Sequence, residues 1–136
     1  MMVLDAWAIM AWLKGHQPAA DRVRYMLEAA ERREQKHLIN IVNLGEVFYV
    51  SVKAQDLAYG ELVLEMLRPR LTIIPASDRL VMAAATLKSR HSISYADAFA
   101  AATALLRDAP LVTGDPELQT MAREEKNLKL EWIASQ

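Results

Sequence analysis

Four carboxylates stand in apolar surroundings. Asp5 follows Met2-Val3-Leu4 and precedes Ala6-Trp7-Ala8-Ile9, and Glu46 lies inside Ile41-Val42-Asn43-Leu44-Gly45-Glu46-Val47-Phe48. Asp97 opens an alanine-rich stretch, and Asp115 closes Leu111-Val112-Thr113-Gly114. An unpaired charge in such a setting is expensive. Most of the 17 acidic residues lie instead among other charges or at amphipathic spacing; Glu61 and Glu65 are of that solvated kind. Each of the four has a simple structural use. Asp5 and Asp115 fit helix N-caps, stabilising by about 1 kcal/mol apiece. Glu46, three residues after Asn43, and Asp97, three after Ser94, fit the reciprocal acid of a capping box. Taken singly, capping is the commoner role. As a set they would meet, and two unit charges about 4 Å apart repel by roughly 4 kcal/mol at an effective dielectric of 20. The motifs contain no lysine to offset this. A divalent cation is the simplest partner, and carboxylates without Cys or His favour Mg²⁺ or Mn²⁺ over zinc or copper. Such an ion suits metal-assisted hydrolysis of a phosphate ester or phosphodiester.

The elements that must bring these acids together are short apolar runs alternating with helical stretches. Strands are expected at Met2–Leu4, Leu38–Val42, Leu71–Ile74, Pro110–Thr113 and Leu128–Leu130. Helices are expected at Ala19–Gln35, Leu44–Lys53, Leu57–Leu67, Arg79–Arg90 and Tyr95–Arg107, after a first helical piece broken off by Gly15 and Pro18. Runs this short and unbroken fit strands covered on both faces, so the rhythm predicts an α/β sandwich with a mainly parallel sheet. Ser77 and Ser94 cap helices, and Asp115-Pro116 is an N-cap followed by proline at the first helical position. Tyr95–Leu106 is apolar nearly all round and predicts a buried central helix. Asp5 and Asp115 fall at the carboxyl ends of strands, and Glu46 just after one. Ligands bind at that edge of open parallel sheets.

Composition narrows the function further. The chain has 136 residues, enough for one domain spanning 1–136, and 53% of them are hydrophobic. There is no cysteine, which removes disulfides, thiolate nucleophiles and cysteine zinc sites. Sixteen Lys and Arg against 17 Asp and Glu give a net charge of −1, so no broad basic field holds nucleic acid. No apolar run reaches membrane-spanning length and the first residues lack a basic leader, so a cytoplasmic location and no membrane partner are expected.

In this order, Asp5, Asn43-Leu44-Gly45-Glu46, Ser94-Tyr95-Ala96-Asp97-Ala98-Phe99-Ala100-Ala101-Ala102-Thr103-Ala104 and Leu111-Val112-Thr113-Gly114-Asp115, the sequence resembles the PIN-domain ribonucleases. Within them it is most similar to the VapC toxins of bacterial toxin–antitoxin pairs. The resemblance runs from Val3 to about Leu130. It implies a three-layer sandwich with a mainly parallel central sheet of four to five strands flanked by helices. It implies an endoribonuclease in which Asp5, Glu46, Asp97 and Asp115 hold Mg²⁺ or Mn²⁺ and position the attacking water. Thr113 would order that water or the last carboxylate. A small antitoxin as partner and a homodimer are also implied. One departure is Ala6, where the family commonly has Thr or Ser directly after its first Asp. Glu117, two residues past Asp115, fits either a secondary role at the site or an exposed first-turn acid.

Other residues are weighed on their chemistry. Lys88, Arg90 and His91 form a basic cluster that fits RNA phosphates, or equally a solvated helix end. Trp7, Trp12 and Met10 fit core or groove positions, or an antitoxin or dimer contact. A haloacid-dehalogenase-like phosphatase would need a second Asp at position 7, where Trp7 stands. A receiver domain would need a paired acid and a late lysine, neither evident. A PIN-like RNA-processing or non-catalytic binding component is the alternative to a toxin.

Overall fold

The computed structural model describes residues 1–135. Among them, five strands form one sheet: β1 (Val3–Leu4), β2 (Leu38–Asn40), β3 (Thr72–Ile74), β4 (Leu111–Thr113) and β5 (Leu130–Trp132). Their spatial order is β3-β2-β1-β4-β5, and every neighbouring pair is parallel. Helices α1 (Ala6–Lys14), α2 (Ala19–Leu27), α3 (Ile41–Ala54) and α4 (Leu57–Leu67) precede β3. Helices α5 (Asp78–Arg90), α6 (Tyr95–Arg107) and α7 (Pro116–Glu124) follow it. This is the expected α/β sandwich, with its sheet wholly parallel.

The strands divide the core by simple alternation. Val3, Leu38 and Leu111 face one side and pack with α5, α6 and α7. Their neighbours Leu4, Ile39 and Val112 face the other side and pack with α1 to α4. Successive strand side chains point to opposite faces, so each two- or three-residue strand serves both cores. A fully buried Leu or Ile contributes roughly 1.5–3 kcal/mol, which is how such short strands hold. Seven consecutive residues of α6, Ala98–Ala104, are buried, as the alanine-rich pattern predicted. Small side chains let that helix lie close under the sheet.

Several boundaries differ from expectation. Ile41 and Val42 form the first turn of α3 rather than the end of β2, because the Asn40 side chain accepts from Asn43 N and starts the helix there. Glu46 therefore lies in the second turn of α3 and is not a capping-box acid. The stretch from Ala19 leaves α-helical geometry after Leu27 for a 3-10 turn at Glu28–Ala30, and Arg33 adopts φ 60° before Gln35 is reached. The last strand lies two residues later than expected, at Leu130–Trp132, pairing Leu111 with Leu130.

Candidate metal centre

Each acid is delivered by the same local device, a strand or turn ending where a helix begins. Asp5 caps α1 and its Oδ1 accepts from Ala8 N at 2.8 Å. Asp115 caps α7 and its Oδ1 accepts from Glu117 N at 2.9 Å. Asp97 lies in the first turn of α6, behind the N-cap Ser94, whose Oγ accepts from Asp97 N. Glu46 projects from α3, whose start is fixed by buried Asn40 and Asn43. Asn40 Nδ2 donates to Asn43 Oδ1 and Thr103 Oγ1, and Asn43 Nδ2 donates to the Ala96 carbonyl. That network ties α3 to the turn that carries Asp97.

The acids converge at the carboxyl edge of the sheet. One oxygen each from Asp97, Asp115 and Glu117 lie within 4.8 Å of one another. Glu46, Asp97 and Asp115 line one cleft of about 300 Å³. Asp5 lies deeper, 2% exposed. Its Oδ2 accepts from the buried Thr113 hydroxyl, and Thr113 Oγ1 in turn accepts from Asp115 N at 3.0 Å. Thr113 thus links the first acid to the backbone of the last. The hydroxyl on Asp5 comes from β4, whereas Ala6 contributes only a methyl to the cleft wall.

Crowding and burial raise these carboxyls. Asp5 is pushed up to about 7, chiefly by burial, against hydrogen bonds from Thr113 and Ala8 and with the help of the Asp97 and Asp115 charges. Asp97 is also pushed up to about 7, by burial first and then by Asp115, with Glu46 and Glu117 adding. Glu46 is raised by burial and by Asp115. Carboxyls held above their ordinary range by burial and then by like charges would be stabilised by an added positive charge. The donor set is all oxygen, and no ion pair among the described residues reaches it. It fits a hard divalent cation.

Glu117, read from sequence as either a secondary site acid or an exposed first-turn acid, lies in this cluster. Asp115-Pro116-Glu117 looks like an N-cap and a first-turn acid, and it is; the same turn also aims Glu117 at Asp97. The close approach of Trp7 to Gly114 was hidden. A Cβ built on Gly114 would meet the Trp7 ring at 2.2 Å, so only glycine admits the indole beside Asp115. The remaining candidates lie elsewhere. Lys88 Nζ donates to the Ile93 carbonyl at 2.7 Å, and Arg90 pairs with Glu125. His91 lies between Glu124 and Glu125, at 3.4 and 3.5 Å. Arg90 and His91 line a second cleft that reaches Glu117 from the other side. Trp7 and Met10 line the acid cleft, whereas Trp12 lines a separate hollow with Leu27 and Met66. No helix of the described residues is long and apolar enough to cross a membrane.

Comparison with known proteins adds independent support. The sequence profile described as PIN domain matches residues 2–124. No curated protein matches the chain in sequence. Among solved structures it is similar to VapBC2 from Rickettsia felis bound to a promoter DNA fragment, at 19% identity and TM-score 0.72, over 98% of each chain. It is similar to VapBC-1 from nontypeable Haemophilus influenzae, at 19% identity and TM-score 0.69, over 96% of each chain. It is also similar to VapBC-5 from Mycobacterium tuberculosis, of the VapBC family of toxin-antitoxin systems, at 19% identity and TM-score 0.65. That match covers 97% of this chain and 98% of the other.

Proposed function

The chain belongs to the PIN domain family, and from that premise we propose that it is a Mg²⁺- or Mn²⁺-dependent endoribonuclease, the toxin of a VapBC-type pair. The observation that carries this reading is the meeting of Asp97, Asp115 and Glu117 oxygens within 4.8 Å at the sheet edge, beside buried Asp5 and half-buried Glu46. Asp5, Glu46, Asp97 and Asp115 are the acids that would hold the ion, with Glu117 completing the oxygen cluster. A bound divalent ion supplies charge neutralisation and activation of water for in-line attack on a phosphodiester.

The protein's own groups then have defined tasks. Hydrolysis forms one bond from water oxygen to phosphorus and breaks one ester P–O bond; the departing oxygen takes a proton. Asp97, pushed up to about 7, and Glu46, raised by burial and by Asp115, are the carboxylates that would accept the water's proton. The Thr113 hydroxyl and Ala8 N fix both oxygens of Asp5, so that carboxylate needs no reorganisation when charge develops. Lys88, Arg90 and His91, in the cleft beyond Glu117 or at its rim, are proposed contacts for RNA phosphates.

The similarity to VapBC structures supports a small cognate antitoxin as partner, and we extend the reading to a cytoplasmic homodimer. The deciding test is incubation of the purified chain with single-stranded RNA, with and without Mg²⁺ or Mn²⁺. Cleavage that needs the ion and is lost in Asp5→Asn and Asp97→Asn, with folded far-UV spectra, is expected. Intact RNA under all these conditions would overturn hydrolysis and leave a binding component.

A further inference from the structure

The acid cleft extends well beyond the carboxylates. Its floor is one face of α1: Trp7, Met10, Ala11 and Lys14 fall at i, i+3, i+4 and i+7. Its facing wall is α3, where Glu46 and Val50 are four apart. At about 1.5 Å per residue, Trp7 to Lys14 spans roughly 10 Å. The far end is closed by Lys14 and His16, both exposed. Gly15, with φ 71°, ends α1 between them, and its N–H bonds to the Ala11 and Trp12 carbonyls. A left-handed residue there turns the chain so that Lys14 and His16 both border the cleft.

The charges of this cleft are arranged in series. Acids occupy one end, an indole and a thioether the middle, and an ammonium and an imidazole the other end. Among the described residues no ion pair or side-chain hydrogen bond involves Lys14 or His16, although five of the arginines are paired. Lys14 borders the same cleft as the acids without contacting them. A single nucleic-acid strand satisfies the whole row: one phosphate at the ion site, a base on the Trp7 and Met10 surface, and the next phosphates at the Lys14 ammonium and the His16 ring N–H. Single-stranded RNA is bound elsewhere by this combination of stacking surface and positive charge.

We infer that the α1–α3 cleft is the subsite for nucleotides flanking the cut, with Trp7 and Met10 against a base and Lys14 and His16 on phosphates. This rests on the ribonuclease reading. The test measures fluorescence anisotropy of a labelled single-stranded RNA oligonucleotide with the whole chain in calcium-containing buffer, alongside cleavage in Mg²⁺. Lys14→Gln is expected to weaken binding about tenfold and to lower the slope of log affinity against log salt by about 0.7. His16→Gln weakens it severalfold, and Arg68→Gln, an exposed change outside the cleft, leaves it unchanged. In cleavage, Lys14→Gln raises KM while kcat holds within about twofold. Both side chains are exposed, so melting temperature stays constant and separates contact from folding.

The outcomes are distinct. RNA cleavage with binding and salt slope unchanged in Lys14→Gln and His16→Gln sinks the subsite and spares the ribonuclease reading. Binding that depends on Lys14 with no cleavage sinks hydrolysis and spares the subsite. No RNA binding by the unmodified chain overturns the subsite, and a protein segment that protects Lys14 from acetylation would then be its occupant.

Discussion

Two clefts flank Glu117, and they handle charge in opposite ways. On one side Glu46, Asp97 and Asp115 face one another without a cation in contact. On the other, Arg90 bonds Glu125 and His91 sits between Glu124 and Glu125. In the first region Asp97 and Glu46 are raised, by burial and then by the Asp115 charge; in the second, the Arg90 hydrogen bond holds Glu125 below its ordinary range. The second joins the segment entering α6 to the end of α7, the two helices whose N-terminal ends carry Asp97, Asp115 and Glu117. The contrast teaches that paired charges are spent on holding helices, while unpaired like charges are kept where a ligand is to supply the missing sign.

The strongest break of this comparison is Asp97→Asn. It should lower ion-dependent RNA cleavage by about 10³-fold. In ion-free buffer it should also raise the melting temperature by about 3–5 °C, since a repelling charge is removed. Lost activity with a lowered melting temperature would mean that Asp97 is a structural acid. Next is Gly114→Ala. The new methyl must displace the Trp7 ring, costing about 1–3 kcal/mol by overpacking. It should also shift Asp115 enough to weaken Mn²⁺ binding by calorimetry. Unchanged stability and unchanged Mn²⁺ affinity would show that the indole moves aside freely.

The third prediction sets pH against the metal. Asp5 and Asp97 have carboxyls near 7 in the folded chain and an ordinary value of 3.8. Between those values the folded form binds more protons than the unfolded chain, so ion-free stability falls as pH rises from about 4 to about 7. Thermal melts should be about 5 °C higher at pH 5 than at pH 8 without metal, with Mn²⁺ closing the gap at pH 8. Glu125 has the opposite sign: its contribution is present above its ordinary value of 4.5 and fades as pH falls. The smallest effect is Glu125→Gln, which leaves Arg90 without its anion and His91 with Glu124 alone. Because Arg90 is half exposed, the loss should be about 0.5–1 kcal/mol in chemical denaturation, with kcat unchanged. A larger loss, or a fall in kcat, would place the clamp inside the catalytic machinery.

Where the sequence was legible, one residue decided each feature. The helix starts at Asp5, Ser94 and Asp115 are caps, and a cap is a local rule visible in four residues. The buried α6 was visible because alanine after alanine leaves no polar face. Boundaries failed where two local rules competed. Ile41 and Val42 have strand-like side chains, but the Asn40 carboxamide starts the helix at Ile41, three residues before the expected Leu44. The convergence of the acids was legible only as an order along the chain, since it depends on parallel strands delivering separate junctions to one edge. Glu117 was legible only as one of two roles, and Lys14 not at all as a residue bordering that cleft. Each obeys an ordinary helix-end preference, and their extra placement is set by how α7 and α1 lie against their neighbours.

Seven successive residues of α6 lack any solvent-facing side, and this bears on how the molecule breathes. An amide in that stretch has no route to solvent through local fraying, so it should exchange with deuterium only when the whole protein opens. The turn holding Asp97 is thereby anchored to the slowest-opening part of the fold. Heat or denaturant should abolish the geometry of the acids in the same event that melts the sheet.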